Sequence, residues 1–96
     1  MGKPRKVYRQ GDLLLVEEEG VDLRYAMKEG EVLEIVSENG NTHRLKSSVY
    51  TIHGRRYVVV ESPSILTHPQ HPELVIEPGI YRVEFVRDYA LNRSID

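Results

Sequence analysis

Turn signals punctuate this chain at intervals of roughly 8–15 residues, the spacing of short antiparallel strands and too close for helices of ordinary length. The clearest are Gly11-Asp12, Asn39-Gly40, His53-Gly54 and Pro78-Gly79. Glycine and asparagine tolerate positive φ, and proline presets its own φ. Between these points the apolar residues run or alternate as strands do. Leu13-Leu14-Leu15-Val16 reads as a buried strand that leaves the core at Glu17-Glu18-Glu19. Tyr81, Val83 and Phe85 face one way while Arg82 and Glu84 face the other, the pattern of a half-buried strand. Residues 31–38 form a strand leading into a two-residue hairpin at Asn39-Gly40, with the returning strand at 42–46. Val49-Tyr50-Thr51-Ile52 and Tyr57-Val58-Val59-Val60 flank a second hairpin, with Tyr50 and Tyr57 able to pair across it. Leu74-Val75-Ile76 is a further short strand. Only 22–29 has a helical look, with Leu23, Ala26 and Met27 at i, i+3 and i+4; an edge strand or a loop suits it nearly as well, since so short a helix is marginal. The expectation is a mainly β fold: a small single-domain antiparallel barrel or two-sheet sandwich with at most one short helix. Residues 1–96 make one domain, flexible at 1–6 and 91–96.

Ninety-six residues suffice for one core, since a chain of this size buries roughly 60–65% of its unfolded surface. There is no cysteine, which excludes a disulfide framework and a thiolate zinc site. The basic residues Lys3, Arg5 and Lys6 are followed by no apolar stretch of signal-peptide type, and no run approaches the length of a membrane span. A cytoplasmic location is the default. The net charge of −2 speaks against a dedicated duplex-DNA binder.

Two short segments carry most of the chemistry. His68 and His71 lie in Thr67-His68-Pro69-Gln70-His71-Pro72, and His43 lies in Gly40-Asn41-Thr42-His43. Each of His68 and His71 precedes a proline, so the pair is not helical, and Pro69 presets a turn that draws the two together. Neutral imidazole is a frequent ligand for zinc and other divalent metals, so His43, His68 and His71 are candidate metal ligands as well as candidate binding residues. Asp12, at the head of a buried strand, is a turn-capping residue or a cleft carboxylate. His53 reads as a turn residue. Glu17-Glu18-Glu19 lacks the ligand spacing of a calcium loop and reads as a solvated edge. Arg55 and Arg56 beside tyrosines would suit base stacking, against a plainer role in packing. No phosphate-cradling glycine loop, serine-nucleophile motif or dinucleotide fingerprint is present.

Five elements in order carry a resemblance: Arg9-Gln10-Gly11-Asp12, Gly40 with His43, Leu66-Thr67-His68-Pro69-Gln70-His71, Pro78-Gly79-Ile80-Tyr81-Arg82-Val83, and Arg87-Asp88-Tyr89. Over residues 9–89 the chain resembles a group of small prokaryotic and phage proteins described only as hypothetical. The resemblance implies a shared fold and no activity. That group often has a histidine where this chain has Asn41, and a glutamate where it has Asp88. If the missing histidine belonged to a metal arm, half of that arm is absent here. Gly11-Asp12 before an apolar strand is also similar to the β domains of self-cleaving repressors and signal peptidases. Those need a serine with a lysine base, and no such pairing is evident.

The leading expectation is a non-enzymatic β module that binds a protein partner or small ligand at the edge formed by 40–44 and 67–72. A metal-dependent, hydrolytic enzyme using His43, His68 and His71 is the alternative, with zinc as the fitting cofactor and none otherwise implied. A single-stranded nucleic-acid binder using Arg55 and Arg56 is a third reading. An exposed edge strand would allow a homodimer.

Overall fold

The computed structural model describes residues 5–37 and 39–86. Among these residues, ten strands form two antiparallel sheets. They are β1 (Val7–Gln10), β2 (Leu13–Glu17), β3 (Met27–Gly30), β4 (Leu33–Val36), β5 (Thr42–Leu45), β6 (Ser48–Ile52), β7 (Arg55–Val60), β8 (Ser64–His68), β9 (His71–Ile76) and β10 (Gly79–Phe85). The larger sheet has the order β1-β2-β10-β7-β6-β3 and the smaller β4-β5-β8-β9. The sheets do not close into a barrel. They form a sandwich, the second of the two architectures the turn spacing predicts.

Alternation decides which residues fill it. Leu13, Leu15, Val49, Val58, Val60 and Tyr81 from the larger sheet meet Leu33, Ile35, Leu45, Leu66 and Ile76 from the smaller in one buried cluster. Tyr81 lies opposite both Glu17 and Val58 in the register, and Val83 and Phe85 follow it on the same face opposite Leu15 and Leu13. Phe85 packs against the cluster only partly buried. The Tyr81 hydroxyl donates to the Glu77 carbonyl at 2.6 Å, and burial raises its pKa far above the ordinary phenol range. Leu14 and Val16 are buried too, so both faces of β2 are covered. On that outer face Arg82 pairs with Glu18 and Glu84.

Local chemistry differs from the sequence expectation at two places. The 22–29 segment is not an α-helix. Asp22 Oδ1 accepts from Arg24 N and caps a single 3-10 turn, Leu23–Tyr25, and the chain then extends as edge strand β3. The helical spacing had nothing to bury: none of the turn residues is buried, and Met27 is 75% exposed. The Asn39-Gly40 hairpin is also wider than expected. β4 ends at Val36 and β5 starts at Thr42, with Ser37 N donating to Asn41 O and Gly40 N to Ser37 O. Gly40 has φ +89° but Asn39 is not in the positive-φ region, which a two-residue type I′ turn would require. That turn is instead made by His53 and Gly54, at φ 50° and 79°, and Tyr50 does pair with Tyr57 beyond it.

β1 closes against β9. Tyr8 Oη accepts from Glu77 N, Lys6 Nζ donates to Pro78 O, and Gln10 reaches Pro72 O. On the opposite side the edges β3 and β4 are joined by a short connection. No helix of the described residues is long and apolar enough to cross a membrane. The Arg87-Asp88-Tyr89 element and most of the expected flexible ends fall outside the described residues.

Candidate functional site

At one end of the sandwich the core faces change from aliphatic to polar. On β5, Leu45 and His43 share the inward face, and on β8 so do Leu66 and His68. On β1 the inward residues are Tyr8 and Gln10, opposite Leu15 and Leu13. Strand alternation thus drives His43, His68 and Gln10 into the interior, where they are 0%, 6% and 3% exposed. The β1–β2 turn adds Asp12, and the two-residue β8–β9 turn pairs His68 with His71. The rings of His43, His68 and His71 lie next to one another here. Ring centroids lie 4.3 Å apart for His43 and His68, 4.6 Å for His68 and His71, and 6.4 Å for His43 and His71.

Hydrogen bonds fix the state of each ring. The Gln10 amide nitrogen donates to Leu66 O and Pro72 O, both at 3.0 Å. Its oxygen therefore faces His43 Nδ1 at 2.9 Å, and Nδ1 must carry the hydrogen. His43 Nε2 lies 2.9 Å from Asp12 Oδ1. Two bare acceptors at that distance repel, so a proton lies between them as well. The proton at Nε2 is shared with the partly exposed Asp12 carboxyl, so both ring nitrogens of the buried His43 are satisfied.

His68 has the opposite assignment. Nδ1 accepts from the Gln70 backbone N–H at 3.0 Å, and Nε2 lies 3.3 Å from Ser37 Oγ. Ser37 Oγ is also within reach of Asn39 Oδ1 and Asn41 O, both acceptors. The His68 hydrogen is thus on Nε2 and the ring is neutral. Burial, then the charges of His43 and His71, hold its pKa below the ordinary histidine value, with Asp12 opposing. Asn39 Nδ2 donates to Gln70 Oε1 and ties the two turns together.

His71 is half-buried, with its ring laid on Gly11. A Cβ at Gly11 would come within 2.5 Å of His71 Nε2, and Gly11 has φ +59°. This glycine is required twice, by its turn and by the imidazole. In front of His71 is an open cleft of about 430 Å³ lined by Arg9, Gly11, Asp12, Ser37, Asn39, His71 and Val86.

The arrangement holds a proton more readily than a shared metal ion. Both His68 nitrogens are engaged, and among the described residues no group of three His, Asp or Glu side chains is placed to hold a metal. The other candidates lie elsewhere. His53 is an exposed turn residue. Arg56 pairs with Glu29, and the Tyr57 ring is buried with its hydroxyl on Glu18, so that ring is not presented for stacking. Glu18 is held by Arg82. Gln10 was visible only as part of the Arg9-Gln10-Gly11-Asp12 element. The signal that marks it is parity: it shares a strand face with Tyr8, two residues earlier.

No curated protein and no solved structure matches the chain. A family model does match, over residues 9–85, which takes in every residue of the cleft except Val86. The chain accordingly belongs to the family described as a domain of unknown function, DUF8820.

Proposed function

We propose that this protein is a non-catalytic binding module whose ligand enters the cleft bounded by the β1–β2 turn, the 37–41 connection and the β8–β9 turn. The observation that carries this reading is the burial of Gln10, His43 and His68 where aliphatic side chains would close the core more simply. A buried polar network contributes less stability than well-packed apolar groups and is costly if any member lacks a partner. Here every buried side-chain nitrogen and oxygen among the described residues has one. The network opens onto a cleft of the size small ligands use, on turns held rigid by Pro69 and by the Asn39–Gln70 bond.

The test is a fragment library followed by the ring signals of His43, His68 and His71 and the Gly11 amide. Ligands of this site shift the His71 and Gly11 signals together. Ligands that shift only residues around Arg55 and Arg56 would move the working surface there and favour the nucleic-acid reading.

A metal-dependent enzyme remains the second reading, on one observation. Gln10 holds His43 Nδ1–H as outer-shell partners hold a metal-bound imidazole, which directs Nε2 toward Asp12.

A further inference from the structure

We infer that the cleft seats the oxyanion of a small molecule, a carboxylate or phosphate, between Arg9 and His71. This rests on the cleft being the binding site and adds the class of ligand.

Arg9 and Asp12 are the charged side chains in the lining. Asp12 shares a proton with His43, so that unit is neutral as a whole. Arg24, Arg44, Arg56 and Arg82 each pair with a carboxylate, whereas Arg9 is in no ion pair among the described residues. The cleft therefore carries a net positive charge in a chain whose total is −2.

Arg9 Nε donates to Gly11 O at 3.1 Å, which tethers the exposed guanidinium at the rim. That uses one of the five N–H donors of an arginine and leaves the fork that matches two oxygens of a carboxylate or phosphate. His71 stands on the other side of Gly11, its ring seated where the missing Cβ gives it room. Ser37 and Asn39 add polar wall, and Val86 adds an apolar one. About 430 Å³ exceeds what a bare oxyanion needs, so the anion is the head of a larger organic ligand.

The experiment is an NMR titration of the full chain with sodium phosphate and, separately, sodium acetate at constant ionic strength. Methylammonium chloride is the cationic arm. The signals followed are Arg9 Nε–Hε, the Gly11 amide and the His71 ring. At least one anion should shift all three saturably. Acetate alone identifies a carboxylate, phosphate alone a phosphate. Arg9→Gln should weaken binding by about tenfold or more, Arg9→Lys should restore part of it, and Arg55→Gln, at another exposed arginine, should leave it unchanged. The inference falls if neither anion gives a saturable shift, if Arg9→Gln binds as well as wild type, or if methylammonium shifts the same signals. If the anions fail while an uncharged fragment occupies the cleft, the ligand class falls and the binding reading stands. If fragments bind only elsewhere, both fall.

Discussion

The Gln10 side-chain oxygen lies 2.9 Å from His43 Nδ1, and the nitrogen of the same amide is committed to two backbone carbonyls, Leu66 O and Pro72 O. One glutamine thus sets the tautomer of a fully buried histidine and ties β1 of one sheet to β8 and β9 of the other.

Replacing Gln10 by leucine keeps most of the volume and removes the bonds to His43 Nδ1–H, Leu66 O and Pro72 O. Each orphaned buried group costs about 1–3 kcal/mol. Urea unfolding should show a lower midpoint with an unchanged slope.

The hydrogen-bond assignments are directly observable. His43 Nδ1 should read as an N–H, and the His68 nitrogens as one N–H at Nε2 and one acceptor at Nδ1. A proton added to His68 would have to enter at Nδ1, against the Gln70 N–H. Its pKa is depressed in the folded chain, so the unfolded chain takes that proton first as pH falls. The stability contributed by a neutral His68 is full above the ordinary histidine range. It declines as pH falls through that range and is gone below the depressed folded value. Asn, which keeps an acceptor and does not titrate, should remove this part of the pH dependence in His68→Asn.

Gly11→Ala places a methyl group within 2.5 Å of His71 Nε2 in a left-handed backbone. The backbone alone costs about 1–2 kcal/mol, and displacement of the imidazole adds to it. The His71 ring signals should shift even if the variant folds.

Core position should rank the apolar substitutions. Leu15→Ala, at a fully buried site, should cost about 2–5 kcal/mol. Phe85→Ala should cost less than the 3–5 kcal/mol of a fully buried phenylalanine, because Phe85, at the C-terminal end of β10, is only partly buried against the core. An equal or larger loss for Phe85 would mean that this end is covered in solution.

Zinc separates the two functional readings. A centre built on His43, His68 and His71 requires His68 to release Gln70 N–H, and Ser37 as well if Nε2 is the ligating atom. The expected result is that zinc leaves the His68 ring signals and the thermal midpoint unchanged. Stabilisation approaching roughly 3 kcal/mol at a hundredfold excess over the dissociation constant would instead support the metal enzyme.

Much of the fold was legible in the residues themselves. Period-two alternation placed Tyr81, Val83 and Phe85 on one face, His53-Gly54 made its hairpin, and Pro69 made the turn that pairs His68 with His71. These are local matters of φ preference and strand parity, which a sequence carries directly. The 22–29 segment shows the limit. Its helical spacing was genuine, but without an apolar surface to cover, capping by Asp22 sustained only one turn. Asn39-Gly40 shows it again: a dipeptide suited to a two-residue turn was drawn into a wider connection when Ser37 took up bonds to Asn41 and His68.

By itself, then, the sequence determined a β chain with two histidine-bearing turns. Tertiary structure alone decided that His43 meets both Asp12, 31 positions away in the β1–β2 turn of the other sheet, and His68 on the neighbouring strand. It also decided what the histidines are. Neutral or charged, donor or acceptor, each state is set by the partner at the end of a 3 Å bond, and the partner that matters most, Gln10, reaches His43 only when the two sheets are packed together.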